Sequence, residues 1–365
     1  EGVEVKNILR THIVPTLLSD PEVRLIFLMK SEERAQRYRK EFTHPRILCQ
    51  IVPEYNRGSV SRVDSIFSAS KFFLLRTETI RLQRRIAFKE KHAYLVYYIG
   101  GMLKFLFARP LVRRLVRYLD FMLVRNNQFA KYFDQHNPQL VVLAHLFEEP
   151  EIHILREAKR RGIRTVGFVN SWDKVTARCI MRLLPDKVLV FNHLVARQVV
   201  IHNEMRAEDV IVVGIPQYDQ YFLPPFISRD VFLKRIGVAR DHKLIVCAPM
   251  GNAFSKSDWA LIDFLNELVV AGTFGSNISL LVRFQPNDVI DEEELKKRPS
   301  LHYDYPGTRF EITRGVDWDM NNADIEHLKH TLHYMDVLIC YASSLSVDAA
   351  VFDKPIINVN FEFDV

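Results

Sequence analysis

Residues 336–359, DVLICYASSLSVDAAVFDKPIINV, carry the sharpest chemical pattern in the sequence. An apolar run of strand type ends in small hydroxyl residues, and a helical pattern starts at the same point. Ser343, Ser344 and Ser346 fall at the start of that helix. Unpaired N–H groups and the positive end of a helix dipole favour a phosphate there. Asp348, one turn later, is suited to accept hydrogen bonds from ribose hydroxyls. A capping serine with a first-turn acid also occurs in many helices. Its place at a strand end in the second of two α/β domains is what favours the phosphate reading.

Weaker signals surround it. CAPMGN (247–252) ends another strand, and Gly251 with Asn252 permits close backbone approach to a phosphate, or forms an ordinary strand–helix turn. In LVRFQPND (281–288), Arg283 at a strand end offers either a bidentate contact to a diphosphate or a structural ion pair. In RGVDWDMNNADI (314–325), Asp317, Trp318 and Asp319 form an Asp-x-Asp triplet. Three letters are a poor metal motif, so a loop with Trp318 packing near a nucleotide base is the better reading, with Asp324 as a helix N-cap. AHLFEEPE (144–151) and NSWDK (170–174) follow two earlier strands. They supply His145, Glu148, Glu149 and Asp173 as candidate general bases, each equally suited to a cap or surface role. There is no Ser-His-Asp spacing, no zinc pattern and no complete phosphate-binding G-x-x-x-x-G-K-[ST] loop.

The elements that position these residues read as alternating strands and helices. Apolar runs stand at 24–29, 47–52, 139–144, 165–170, 187–192 and 210–214, with helical patterns between several of them, such as 149–162 ending on Gly162. Continuous β-branched runs separated by helices imply a parallel sheet covered on both faces. The Pro- and aromatic-rich stretch GIPQYDQYFLPPF (214–226) looks like a linker. The alternation then restarts with strands at 243–251, 279–286, 310–314, 337–344 and 355–361 and helices near 258–271 and 324–334. The expected architecture is α/β, with two Rossmann-like doubly wound domains (1–216 and 217–365) and a ligand cleft between them at the carboxyl ends of the strands. The chain opens on a helical pattern with no preceding strand and stops just after one, as expected of a fragment with a truncated C-terminal domain.

With 365 residues, 48% hydrophobic and 26% charged, the composition excludes disordered, collagenous and disulfide-scaffold classes. Four widely spaced cysteines fit a reducing, cytoplasmic compartment. The formal charge of +6 is uneven: residues 71–131 hold fourteen Lys/Arg against three acids, so the remainder is net acidic. On a helical projection of 109–125, Arg109, Arg113, Arg114, Arg117 and Asp120 share one side and leucines the other. This basic insertion (71–131) reads either as a surface for anionic lipid on the inner face of the cell membrane, or as a helix packed on its own domain. The apolar run 94–108, broken by Gly100, Gly101 and Lys104, falls short of a membrane span. No nucleic-acid-binding module surrounds it, and no signal peptide is seen.

Taken together, VVGIPQYDQYF (212–222), CAPMGN, LVRFQPND and residues 323–357 resemble GT-B-type nucleotide-sugar transferases. The resemblance is to the bacterial surface-polysaccharide group related to CDP-glycerol glycerophosphotransferases and UDP-N-acetylglucosamine 2-epimerases, and it covers about 139–365. It implies a nucleotide diphosphate on the C-terminal domain, with Ser343, Ser344 and Ser346 on the diphosphate and Asp348 on the ribose. Arg283 matches the arginine of the R-x-H-P element of the glycerophosphotransferases, but Gln285 replaces its histidine. Asn170-Ser171-Trp172-Asp173 stands where their His-Gly element is expected. The epimerase pattern D-S-G-G-x-x-E-E lacks both glycines. The resemblance therefore implies a metal-independent glycosyltransferase moving a sugar to a glycan or lipid-linked acceptor, with Asp173 or His145 as base and no cofactor beyond the donor. An epimerase, a hydrolase, a glycerophosphotransferase or a non-catalytic membrane- or polymer-binding protein are the alternatives.

Overall fold

The structure, a computed structural model, describes residues 2–52, 61–91, 94–251, 254–310 and 318–361. The chain divides into two compact units. A central unit spans Pro15–Ile215, and a composite unit joins Glu1–Val14 to Pro216–Val365. The first fourteen residues, expected with the N-terminal domain, thus belong with the C-terminal half. The reason is local: Arg10 grips buried Asp319 with two nitrogens (Nη1–Oδ1 2.7 Å, Nη2–Oδ2 2.9 Å) and donates to the Met320 carbonyl.

In the central unit, β1 (Leu25–Met29) and β2 (Ile47–Ile51) form a parallel pair. A second sheet holds β3 (Leu140–Leu143), β4 (Arg164–Phe168), β5 (Lys187–Val190) and β6 (Val210–Val212), all parallel and adjacent in chain order. Parallel strands need crossovers, and helices Glu149–Arg160 and His193–Asn203 supply two of them. Leu143, Leu155, Val169, Val188, Val190 and Val199 fill the core between sheet and helices. The helix Glu149–Arg160 starts with Pro150 and two first-turn acids, and Gly162 follows it at φ 70°.

The composite unit is built on five parallel strands: β7 (Lys243–Ala248), β8 (Ile278–Arg283) and β9 (His302–Asp304), then, after the short antiparallel pair β10 (Thr308–Arg309) and β11 (Trp318–Asp319), β12 (Val337–Cys340) and β13 (Ile356–Asn358). Their spatial order is β13-β12-β7-β8-β9. Counted along the chain within this sheet, that is 3-2-1-4-5 read from the β9 edge, the order of a Rossmann sheet. Strand order reverses between β7 and β12. The α/β class with parallel sheets is as expected. The third strand is the polar run His302–Asp304, while the expected strand 310–314 lies almost wholly outside the described residues. The N-cap of helix Asn322–Tyr334 is Asn321, with Asp324 returning the bond in a capping box. The stretch read as a linker contains a 3-10 helix, Pro216–Phe222, with Tyr218 and Tyr221 buried.

A layer of four helices precedes β3: Arg62–Ser70, Glu78–Lys91, Tyr94–Phe107 and Pro110–Leu123. The last reverses its expected polarity. Arg113 and Arg117 are 5% and 8% exposed. Both pair with Glu204 (Arg113 Nε–Oε1 2.6 Å, Arg117 Nη1–Oε2 2.6 Å), and Arg117 Nε donates to the Met181 carbonyl. Asp120 is buried beside them, and only Arg109 and Arg114 of the four named arginines face outward. Buried carboxylates and carbonyls draw the arginines inward, because each guanidinium is stabilised more by a fixed acceptor than the leucines would be by the same polar ground. The expected lipid-facing arginine face is therefore corrected for Arg113 and Arg117.

Candidate functional site

At the switch point of the composite unit, β7 and β12 end side by side, and each strand runs into a loop and a helix: Asp258–Val270 after β7 and Leu345–Val351 after β12. The serine cluster follows β12 as expected, but its hydroxyls are engaged locally. Ser343 Oγ accepts from the Leu345 N–H at 3.2 Å, and Ser346 Oγ donates to the Ser343 carbonyl at 2.6 Å. Ser344 is exposed and stands at the N-cap with no side-chain cap bond. Gly251 takes φ 90°, a conformation suited to glycine. Its N–H does not point a free donor at a ligand, since it is bound to Asp258 Oδ2 at 2.6 Å, with the Met250 N–H on Oδ1. Burial raises the Asp258 pKa against those two bonds. Asn252 lies outside the described residues.

Asp348 carries the charge pattern of a site. The Tyr221 hydroxyl donates to its Oδ1 at 2.9 Å. Burial raises the carboxyl pKa, while Lys6, the hydroxyls of Tyr221 and Tyr218, and Arg283 act the other way. Lys6 sits in the one-turn segment Val5–Leu9, and burial lowers its pKa while Asp348 raises it. Both tyrosine hydroxyls are raised, first by burial and then by the neighbouring carboxylate. The two rings lie 5.0 Å apart, and Tyr221 packs on Phe352 at 5.3 Å. Arg283, at the end of β8, is 5% exposed and pairs with Asp304 (Nη1–Oδ2 3.1 Å), which also takes His327 Nε2 at 2.8 Å. The ion-pair alternative for Arg283 is thus present, and its charge still acts on Asp348, Lys6 and Tyr221. Lys6, Tyr218 and Tyr221 were not singled out in the sequence. The available signal was two tyrosines three apart in a Pro-rich stretch; Lys6 had none.

Trp318, half-buried on β11, stands beside Asp319, whose carboxylate Arg10 occupies. That ion pair favours the loop reading of the triplet over a metal site; Asp317 lies outside the described residues. A cavity of about 340 Å³ opens elsewhere in this unit, lined by Arg235, Leu281, His302, Tyr303, Asp304 and His327 among others. It shares Asp304 with the Arg283 pair but does not lie at the switch point.

In the central unit, His145 and Asp173 both follow strand ends, of β3 and β4. His145 is buried; its Nδ1 accepts the Phe147 N–H at 3.1 Å, and its Nε2 lies 2.6 Å from Lys174 Nζ. Lys174 also donates to Asn170 Oδ1 at 2.8 Å. Asp173 is exposed and takes the Ser171 hydroxyl. Glu148 pairs with Arg178 and is half in solvent. Glu149 belongs to a buried network instead. Asp64, Glu149 and His153 bring ligand-type atoms within 4.8 Å of one another. Arg182 reaches Asp64 (2.7 Å), Asp120 (2.8 Å) and Glu149, and Lys71 Nζ holds Glu149 at 2.6 Å. Arg156 takes Asp120 at 2.6 Å, and His153 Nε2 takes Asp64 at 3.0 Å. Three carboxylates meet three cations, so the charge that a metal would neutralise is already neutralised. Asp64 is held far below the usual carboxylate range: the His153 and Arg182 bonds overcome the burial that opposes them. Burial raises all four thiols, Cys179 to about 11 and Cys247 to about 12, so they are poor nucleophiles.

No family profile matches the chain, and no curated protein does. Solved structures do resemble it. A MnaA–UDP structure from S. aureus covers 93% of this chain and 80% of its own, at 9% identity and TM-score 0.47. A UDP-GlcNAc 2-epimerase from Neisseria meningitidis bound to UDP-GlcNAc covers 92% and 82%, at 9% identity and TM-score 0.43. The wall teichoic acid polymerase TagF covers 67% and 77%, at 12% identity and TM-score 0.32.

Proposed function

We propose that the chain is a nucleotide-sugar enzyme that holds a nucleoside diphosphate at the switch point of the composite unit. The observation that carries this reading is the 3-2-1-4-5 sheet with Lys6, Arg283, Asp348 and two tyrosines gathered at the carboxyl ends of its strands. Such sheets bind ligands there, and a half-buried charge cluster with mutually shifted groups is the pattern expected of a site. Lys6 and Arg283 would meet the diphosphate, and Ser344 would add a hydroxyl donor. Asp348 would accept from ribose. Trp318 would stack near the base. The reaction proposed is transfer of the sugar to a glycan or lipid-linked acceptor, with exposed Asp173 taking the acceptor proton and cations stabilising the departing diphosphate; His145, buried with both ring nitrogens engaged, is the weaker of the two expected bases.

Calorimetric titration with UDP and CDP tests the site. Binding should weaken about tenfold or more in Lys6→Met, since a charge-assisted bond is lost. Equal affinity in wild type and Lys6→Met would remove the site. Incubating UDP-sugars without acceptor tests the reaction: turnover under that condition would make the chain an epimerase or hydrolase on the same site.

A further inference from the structure

The helical layer of the central unit is built inside out. Helix Pro110–Leu123 buries Arg113, Arg117 and Asp120 and turns Leu111 (78% exposed), Leu115 and Tyr118 to solvent. Helix Tyr94–Phe107 does the same. Its one charge, Lys104, turns inward to the Phe72 and Leu75 carbonyls, while Tyr98 (66% exposed), Met102 and Phe105 face out. Arg84 of helix Glu78–Lys91 donates to the Tyr97 carbonyl and lies on the Tyr97 ring. Gly101 faces that guanidinium, with Arg84 Nη2 2.7 Å from where a Cβ would stand. The outward residues recur at helical spacing: 111, 115 and 118 on one helix, 98, 102 and 105 on the other. Leu106 and Phe107, between the two stripes in the chain, are exposed as well.

Apolar exposure of this extent calls for a covering partner. The partner's chemistry is set by the exposed charges. Arg81, Arg85 and Lys89 on helix Glu78–Lys91, and Arg109, Arg114 and Arg125 on or beside helix Pro110–Leu123, are exposed. Among the described side chains of 62–125, Glu78 is the one exposed acid, and it is paired with Arg81 at 2.7 Å. Exposed tyrosines and leucines together with exposed cations match a bilayer interface bearing anionic headgroups. No described helix is long and apolar enough to cross a membrane, so the contact is one of lying on the surface. We propose that this layer seats the protein on an anionic phospholipid bilayer through its leucine and tyrosine stripes, with the outer arginines on the headgroups. This differs from an arginine-face contact, because Arg113 and Arg117 are spent on Glu204 inside the protein.

The full chain should co-sediment with vesicles of phosphatidylcholine and phosphatidylglycerol far better than with phosphatidylcholine alone, and salt should weaken the binding. Leu111→Glu with Leu115→Glu, both at exposed positions, should lower vesicle affinity about tenfold or more while circular dichroism and UDP affinity stay unchanged. Arg109→Gln with Arg114→Gln should lower it by a similar factor on anionic vesicles only. A tryptophan placed by Leu115→Trp should shift to the blue and be quenched by brominated lipid. Vesicle binding untouched by the Leu111/Leu115 pair would overturn the proposal. So would an absence of vesicle binding together with a concentration-dependent dimer that those two substitutions dissolve, which would make a second copy the covering partner. UDP affinity is read separately, so failure here leaves the nucleotide site untouched.

Discussion

Two charge clusters, one buried and one half-buried, use the same materials to opposite ends. Around Arg182, three carboxylates and three cations close on one another, and Asp64 and Glu149 are held below their usual range. Around Asp348 the pairing is looser. Arg283 has its direct partner in Asp304 and acts on Asp348 only through its field, while burial raises the Asp348 carboxyl and lowers the Lys6 amine. In the first cluster the fold is the beneficiary of every charge. In the second, carboxyl and amine both sit in an environment that disfavours their charged forms, and added negative charge from a ligand would relieve the amine. Charges that satisfy one another directly mark scaffold, and a carboxyl and an amine whose surroundings disfavour their charged forms mark a candidate site.

The largest test of that contrast is Arg182→Ala. It leaves Asp64 and Asp120 buried with a partner missing, and unfolding by urea should show a loss of about 3–5 kcal/mol. A loss under 1 kcal/mol would mean that the network is no scaffold. Asp348→Asn should move the other way: UDP affinity falls, while thermal stability holds or rises, because a half-buried carboxyl whose surroundings disfavour its charge no longer has to ionise. A collapse of stability in Asp348→Asn would erase the distinction between the clusters. Acid should separate them as well. Asp64 and Glu149 have lowered folded pKa values, so their stabilisation is complete above about pH 5 and drains away as pH falls through the unfolded carboxylate range and below. Asp348 is raised, so its contribution is present at low pH and is lost as pH rises through its folded value. Stability of the Asp348→Asn variant should therefore fall less between mildly acid and neutral pH than that of the wild type. The smallest effect is expected for Tyr221→Phe, which removes one hydrogen bond worth about 0.5–1.5 kcal/mol.

How much of this was legible beforehand follows from what periodicity encodes. β7, β8 and β12 appear in the sequence as continuous apolar runs because both faces of a parallel sheet are covered, and the structure places them within a few residues of the expected spans. β9 was missed because an edge strand of composition His-Tyr-Asp has no apolar signature. Asp348 was readable from its place after a strand end. Lys6 was not, since a residue some 340 positions away is brought in only by tertiary packing. The amphipathic stripe of 110–123 was visible, but not which stripe faces inward. That was decided by Glu204, which is remote in sequence and held at φ 57° beyond a helix end. Hydrophobic pattern predicts that a helix has two sides; the location of buried acceptors determines which side the protein keeps.

The first fourteen residues belong to a body that is otherwise made of residue 216 onward, with about 200 residues of another body between. On a ribosome, this segment emerges well before its partners in the same body. Arg10 has no Asp319 to hold, and Lys6 no Asp348 nearby, until about 300 further residues or more have been translated. The central unit can assemble in the interval, but the proposed nucleotide pocket cannot. Competence to bind would thus arrive as a late event of biogenesis, and a nascent chain stalled before residue 319 would carry a folded middle and an unfinished pocket.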